Sequence, residues 1–182
     1  MLLDGNGGKG GGVCVDFVSP GERPVYGLEA MPWSDFGPEL VKLNLNAVEQ
    51  NAAILEVAEL LKPLPAMVDF RRFCGAVLER EKLCSTAVDG AVAFPHARTD
   101  AVRDLLIAVG RKTSGIRFGP DGVSVQFIVV IGVPKTMVRE YLGVAGRLAR
   151  LFRDEPRRHA LLEAVLAEEF AVWLRQPPPG EG

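Results

Sequence analysis

His96 is the residue in this chain around which chemistry can be built. It stands in Ala91-Val92-Ala93-Phe94-Pro95-His96-Ala97-Arg98-Thr99-Asp100, framed by apolar residues rather than charges. Proline biases the residue before it toward extended geometry. Phe94 is therefore expected to end a short buried strand, with a turn at Pro95. That puts the imidazole at the carboxyl end of a strand, where α/β sheets hold their sites. Imidazole titrates near neutral pH, so its neutral form is available there as a nucleophile. Taken by itself, a histidine in this setting reads more readily as a core residue with satisfied hydrogen bonds. The other of the two histidines, His159, follows Arg157 and Arg158 and reads with them as a solvated face.

The elements that must position His96 belong to a single globular domain. The chain has 182 residues, 48% hydrophobic and 24% charged, enough for a sizeable core. A formal net charge of −2 gives no reason to expect nucleic acid or an anionic membrane surface as partner. No run of about 18 apolar residues exists, so no membrane insertion is expected. The start lacks the basic and apolar regions of a secretory signal, and cytoplasm is the expected compartment. Cys14, Cys74 and Cys84 fit neither a disulfide framework nor a metal site, and no cofactor is expected.

The expected organisation is a glycine-rich extension over 1–37, partly ordered at most, a domain over 38–176 and a disordered tail over 177–182. Gly7-Gly8-Lys9-Gly10 lacks the Ser/Thr and the preceding strand that a phosphate loop needs. Val13–Val18 alternates as one strand would, and Trp33 and Phe36 are candidates to pin the extension to the domain. Val41–Leu45 has strand alternation. Asn46 and Glu49 have the spacing of a capping box, before a helix with Ile54, Val57, Ala58 and Leu61 on one face, stopped by Pro63 and Pro65. Asp69 is expected to cap a second helix. Its Phe73, Cys74 and Val77 face the core, and it ends in a charge cluster, Glu79-Arg80-Glu81-Lys82, that reads as solvated.

Leu105–Val109 suits a buried strand, and Gly119–Gly122 a turn. Val123–Ile131 has the strongest strand pattern in the chain. After Pro134 the periodicity turns helical, with Tyr141, Ala145, Leu148, Ala149 and Phe152 on one stripe. One further helical region past Pro156 carries Leu161, Leu162, Val165, Phe170, Trp173 and Leu174. Strands alternating with helices give an α/β fold, a mixed sheet between helical layers.

Leu78-x-Arg80-Glu81-x-Leu83-x-Ser85-Thr86, followed by Ala91-Val92-Ala93-Phe94-Pro95-His96-Ala97, resembles the central signature of the IIA phosphocarrier domains of the bacterial sugar phosphotransferase system. The resemblance is to their fructose/mannitol class, which includes the nitrogen-regulatory IIA proteins, and it extends over about 39–175. It implies a five-stranded mixed sheet between helices. It also implies that His96 accepts a phosphoryl group from the carrier protein HPr and passes it to a cysteine on a IIB domain.

The residue types suit that chemistry. Arg80 at the helix end is expected to favour the neutral imidazole and then to hold the phosphoryl oxygens. The Thr86 hydroxyl would orient the loop, and the amides of Ala97 and Arg98 would form an anion nest. The chain departs from the family at the helix after the second long strand, where a histidine before leucine is usual and Tyr141-Leu142 stands here. A phenol donates a hydrogen bond but carries no charge near neutral pH. Two functions follow: a phosphoryl-transfer component acting between HPr and a IIB partner, or a regulatory or degenerate IIA-like module that controls a transporter, a kinase or a nitrogen response by binding.

Overall fold

The computed structural model describes residues 36–88 and 91–177. The expected strand at Val13–Val18, and Trp33, lie outside them. Phe36, on the extension side of the boundary drawn at 37/38, is buried in the core, and its carbonyl accepts from Arg175 Nη1.

The chain runs β1 (Val41–Lys42), α1 (Gln50–Ala58), α2 (Phe70–Leu83), β2 (Ala87–Val88), β3 (Val92–Ala93), β4 (His96–Thr99), β5 (Leu106–Phe118), β6 (Val123–Pro134), α3 (Val138–Arg153), α4 (Glu155–Glu163) and α5 (Ala167–Arg175). The sheet has six strands in the order β1-β5-β6-β3-β2, with β4 also on β6. β1 is parallel to β5, β5 antiparallel to β6, and β2 antiparallel to β3. The mixed α/β sandwich is the expected fold.

The sixth strand arises from Pro95, and here the structure corrects the expected turn. β3 and β4 both run parallel to β6, and Val92, Ala93, His96 and Ala97 face Phe127, Ile128, Ile131 and Gly132 with one unbroken offset. The chain therefore passes straight through Pro95. Proline has no N–H to give the ladder, so the strand is divided without being shifted. Its carbonyl still accepts from Ile131 N–H at 2.9 Å. Counting β3 and β4 as one line leaves five positions across the sheet.

Alternation assigns the two faces. Phe127 meets Phe152 of α3 and Phe170 of α5, so its face is covered by the C-terminal helices. A Cβ on Gly132 would meet Phe73 of α2, and one on Gly110 would meet Val57 of α1, so the opposite face belongs to α1 and α2. Ile54, Val57, Phe73 and Val77 fill that side, as their helical spacing requires.

Local details depart from expectation where a distant partner decides. Asp69 does cap α2, its Oδ1 accepting from Arg72 N–H. The Asn46/Glu49 capping box is not made: α1 begins at Gln50 without a side-chain cap. Asn46 N–H and Ala47 N–H donate instead to Glu56, at 3.0 and 2.8 Å, and Lys42 Nζ lies 2.9 Å from the same carboxylate. Of Leu105–Val109, the strand takes up Leu106–Val109 as the start of β5, which continues through polar residues to Phe118.

The final helical region is two helices, and Val165 falls in the break between them, 79% exposed. Arg157, expected on a solvated face, is buried, its guanidinium donating to Gln176 O and Pro177 O. Arg147 reaches Arg175 O and Gln176 O, and Arg111 Nη1 reaches Leu161 O, Leu162 O and Ala164 O. Each of these buried cations closes a helix C-terminus, where carbonyls lack intrahelical partners.

Candidate functional site

The register through Pro95 decides where the imidazole goes. His96 is opposite Ile131 and so shares a face with Phe127, turned toward the C-terminal helices. Phe94, two residues back on the same face, packs edge-on to Phe152 of α3. Tyr141, on the first turn of α3, lies against the imidazole with ring centroids 5.1 Å apart. His96 itself is half-buried.

His96 Nδ1 lies 2.8 Å from Phe94 O. A carbonyl only accepts, so Nδ1 carries the proton in the neutral ring and Nε2 holds the lone pair. The contact thus selects the nucleophilic nitrogen.

The backbone adds direction. In this parallel ladder the peptide groups of residues 95, 97 and 99 turn toward β6, consistent with Ile131 N–H on Pro95 O. The amide of Ala97 therefore belongs to the sheet. The amides of His96 and Arg98 turn the other way, as does that of Phe94, which donates to Thr86 O. β2 pairs with β3 alone, so past its end these amides face the sheet edge. The Arg98 side chain is exposed and folds along the surface, Nε and Nη2 both donating to Lys135 O.

Arg80 stands in the last turn of α2, and Thr86 follows the end of that helix. Arg80 Nη1 donates to the carbonyl of Cys84 at 3.1 Å, an interaction that closes its own helix. Thr86 is buried, and its hydroxyl donates to Glu81 Oε2 at 2.7 Å. Its amide donates to Glu81 Oε1 at 2.9 Å, and Gln50 Nε2 reaches the same oxygen at 3.2 Å.

Glu81 is the residue that sequence reasoning missed. It belongs to the expected solvated charge cluster, yet it is 4% exposed. Burial pushes its carboxyl pKa up, against the bonds from Thr86 and the nearby charge of Arg80. The spacing of an acid five residues before a threonine at a helix exit was the signal available for it. A hollow of about 470 Å³ opens beside Glu81, Cys84, Gly119 and Val123; neither His96 nor Tyr141 lines it. Among the described residues no group of His, Cys, Asp and Glu could hold a metal ion.

The family described as "Phosphoenolpyruvate-dependent sugar phosphotransferase system, EIIA 2" matches residues 36–176. The chain belongs to this family. A fructose-specific EIIA component of Haloferax volcanii is 31% identical over 127 residues, 69% of this chain and 82% of the relative. A fructose-specific EIIABC component of Bacillus subtilis is 30% identical over 137 residues, 75% of this chain but only 22% of that longer protein. Among solved structures, the nitrogen regulatory protein IIA-Ntr of Neisseria meningitidis superposes with a TM-score of 0.71 at 26% identity, covering 78% of this chain and 97% of that one. IIA components of this family transfer phosphoryl groups. Among the described residues no helix is long and apolar enough to cross a membrane.

Proposed function

We propose that this IIA domain carries a phosphoryl group on His96 Nε2, taking it from an HPr-type phosphocarrier and passing it to a IIB partner. The observation that carries the reading is the Nδ1 contact with Phe94 O, which leaves Nε2 as the attacking nitrogen at a half-buried position.

In the forward step the Nε2 lone pair forms a bond to phosphorus as the donor's P–N bond breaks and its electron pair returns to the donor nitrogen. The His96 ring then carries positive charge shared with Nδ1–H. Its bond to Phe94 O becomes charge-assisted and holds the ring in place. The phosphoryl oxygens lie toward the edge-facing amides of His96 and Arg98, and Arg80 reaches them from the end of α2. Thr86 acts through the loop, since its hydroxyl proton is engaged by Glu81. The Tyr141 hydroxyl donates to a phosphoryl oxygen. In onward transfer a IIB cysteine thiolate forms a bond to phosphorus as the P–Nε2 bond breaks and its electron pair returns to Nε2, with the same groups around the phosphoryl oxygens.

A second reading is favoured by one feature. Tyr141 lies against the imidazole, where the resemblance leads one to expect a second histidine, so this pair is one imidazole and a phenol. A slower, longer-lived phosphorylated state of that kind suits a regulatory IIA protein that reports phosphorylation by binding. The test is incubation with phosphoenolpyruvate, enzyme I and HPr, followed by intact mass. We expect one acid-labile phosphoryl group, absent in His96→Ala. A wild-type protein left unmodified by HPr of its own organism would sink the carrier reading. Acceptance of phosphate without onward passage to any IIB domain favours the regulatory one.

A further inference from the structure

The pairing of β2 with β3 sets Ala87 opposite Ala93 and Val88 opposite Val92. Thr86 and Phe94 form the next pair, and Phe94 N–H donates to Thr86 O at 3.2 Å. Residues paired in this way in an antiparallel ladder exchange both bonds. The return bond, Thr86 N–H to Phe94 O, is the one diverted: the amide goes to Glu81 Oε1. Phe94 O takes His96 Nδ1 instead.

We propose that Glu81 is a positioning residue for His96. By drawing the Thr86 amide out of the ladder, its carboxylate reserves the Phe94 carbonyl for the imidazole and so presents Nε2 to the phosphorus. The purpose assigned to this arrangement rests on the phosphocarrier reading; the arrangement itself does not.

The placement is otherwise hard to account for. A carboxylate in the last turn of a helix opposes the helix dipole, and burying it is costly. Glu81 does both, in α2, while its two oxygens gather three donors from Thr86 and Gln50. One oxygen fixes the Thr86 amide and the other its side chain, so the residue that abuts Phe94 has no free rotor. A carbonyl has two lone pairs. Loss of Glu81 therefore lets the Thr86 amide compete for Phe94 O rather than evict the imidazole, and the expected effect is graded.

Ring-nitrogen NMR on ¹⁵N-labelled protein reads this directly, since a His159→Gln background leaves one histidine. Wild type should show Nδ1 protonated and Nε2 unprotonated, with the Thr86 amide coupled across its hydrogen bond to the Glu81 side-chain carbon. In Glu81→Met, of similar length without an acceptor oxygen, the ratio of Nδ1-protonated to Nε2-protonated ring should fall about two- to tenfold, the range one neutral hydrogen bond commands. Phosphoryl acceptance should slow by a similar factor at unchanged KM for phospho-HPr. Glu81→Gln, which keeps an oxygen for the Thr86 amide, should restore both. A folded Glu81→Met with a wild-type ring spectrum overturns the proposal. Should that variant not fold, the wild-type coupling decides, and a Thr86 amide coupled to the Phe94 carbonyl carbon overturns it equally. A tautomer shift in a protein that never accepts phosphate upholds the positioning role while the carrier reading fails.

Discussion

Tyr141 is where a single atom separates two accounts of the site. Its ring touches His96 whether or not its hydroxyl does anything, because stacking and packing need only the carbon frame. Tyr141→Phe keeps that frame and deletes the oxygen. If the hydroxyl holds a phosphoryl oxygen, a hydrogen bond to a charged acceptor is lost, worth about 1.5–3 kcal/mol. Phospho-His96 should then hydrolyse faster, or form more slowly, by about tenfold or more. Equal rates and lifetimes in Tyr141→Phe and wild type would leave the tyrosine a packing residue. Tyr141→His should keep the fold and speed transfer, since it brings a second titratable ring to the pair. His96 was legible in the sequence from the start because proline, histidine and the apolar frame are adjacent. Glu81 was not, because its burial depends on a threonine amide that turns back on the helix end, which no periodicity records.

Among the elements, β3 shows what periodicity reads well and what it does not. Val92, Ala93 and Phe94 were expected to be buried and are. The expected turn at Pro95 treated a missing donor as a change of direction, whereas the parallel partner holds the chain straight across the gap. The sharp bend lies at the other end. Ala91 has φ of 60°, in the left-handed region, while its carbonyl accepts from Gln126 and Phe127 N–H at 2.7 and 3.0 Å. An alanine there carries a steric penalty that glycine lacks, about 1–2 kcal/mol. Ala91→Gly should raise stability by up to about 1 kcal/mol, read as a higher urea midpoint, the remainder being offset by the freer unfolded chain. A lower midpoint would mean that the bend is not strained. The helices were legible by face but not by end, and α4 and α5 merged in the reading because the apolar spacing continues through Val165 while the backbone does not.

For the molecule as a whole, the deciding electrostatics are contacts between charges and backbone. Burial works against the Glu56 carboxylate, but the amides of Asn46 and Ala47 and the Lys42 ammonium outweigh it and bring its pKa from 4.5 to about 2. A carboxyl with a depressed pKa stabilises the fold above its unfolded value and loses that contribution as pH falls. The stability difference between wild type and Glu56→Gln should therefore be full above pH 4.5 and vanish toward pH 2, followed by urea unfolding at each pH. Glu81 has the opposite sign, since a raised pKa makes protonation favour the folded state. A Glu56→Gln curve parallel to wild type through that window would refute the assignment. Arg111, Arg147 and Arg157 escaped the sequence reading for the same reason as Glu56: they hydrogen-bond to backbone carbonyls or amides, which have no letter in a sequence.

The unbroken offset between β6 and the line through Pro95 also governs how descendants of this gene can differ in length. Alternation along a strand turns successive side chains to opposite faces, so adding or deleting one codon between Val92 and His96 would swing the imidazole to the α2 side, away from Tyr141. The Gly119–Gly122 hairpin lies outside that line and sets no such parity. Length variation in this lineage is thus permitted at the hairpin tip and confined to whole pairs of residues ahead of the histidine.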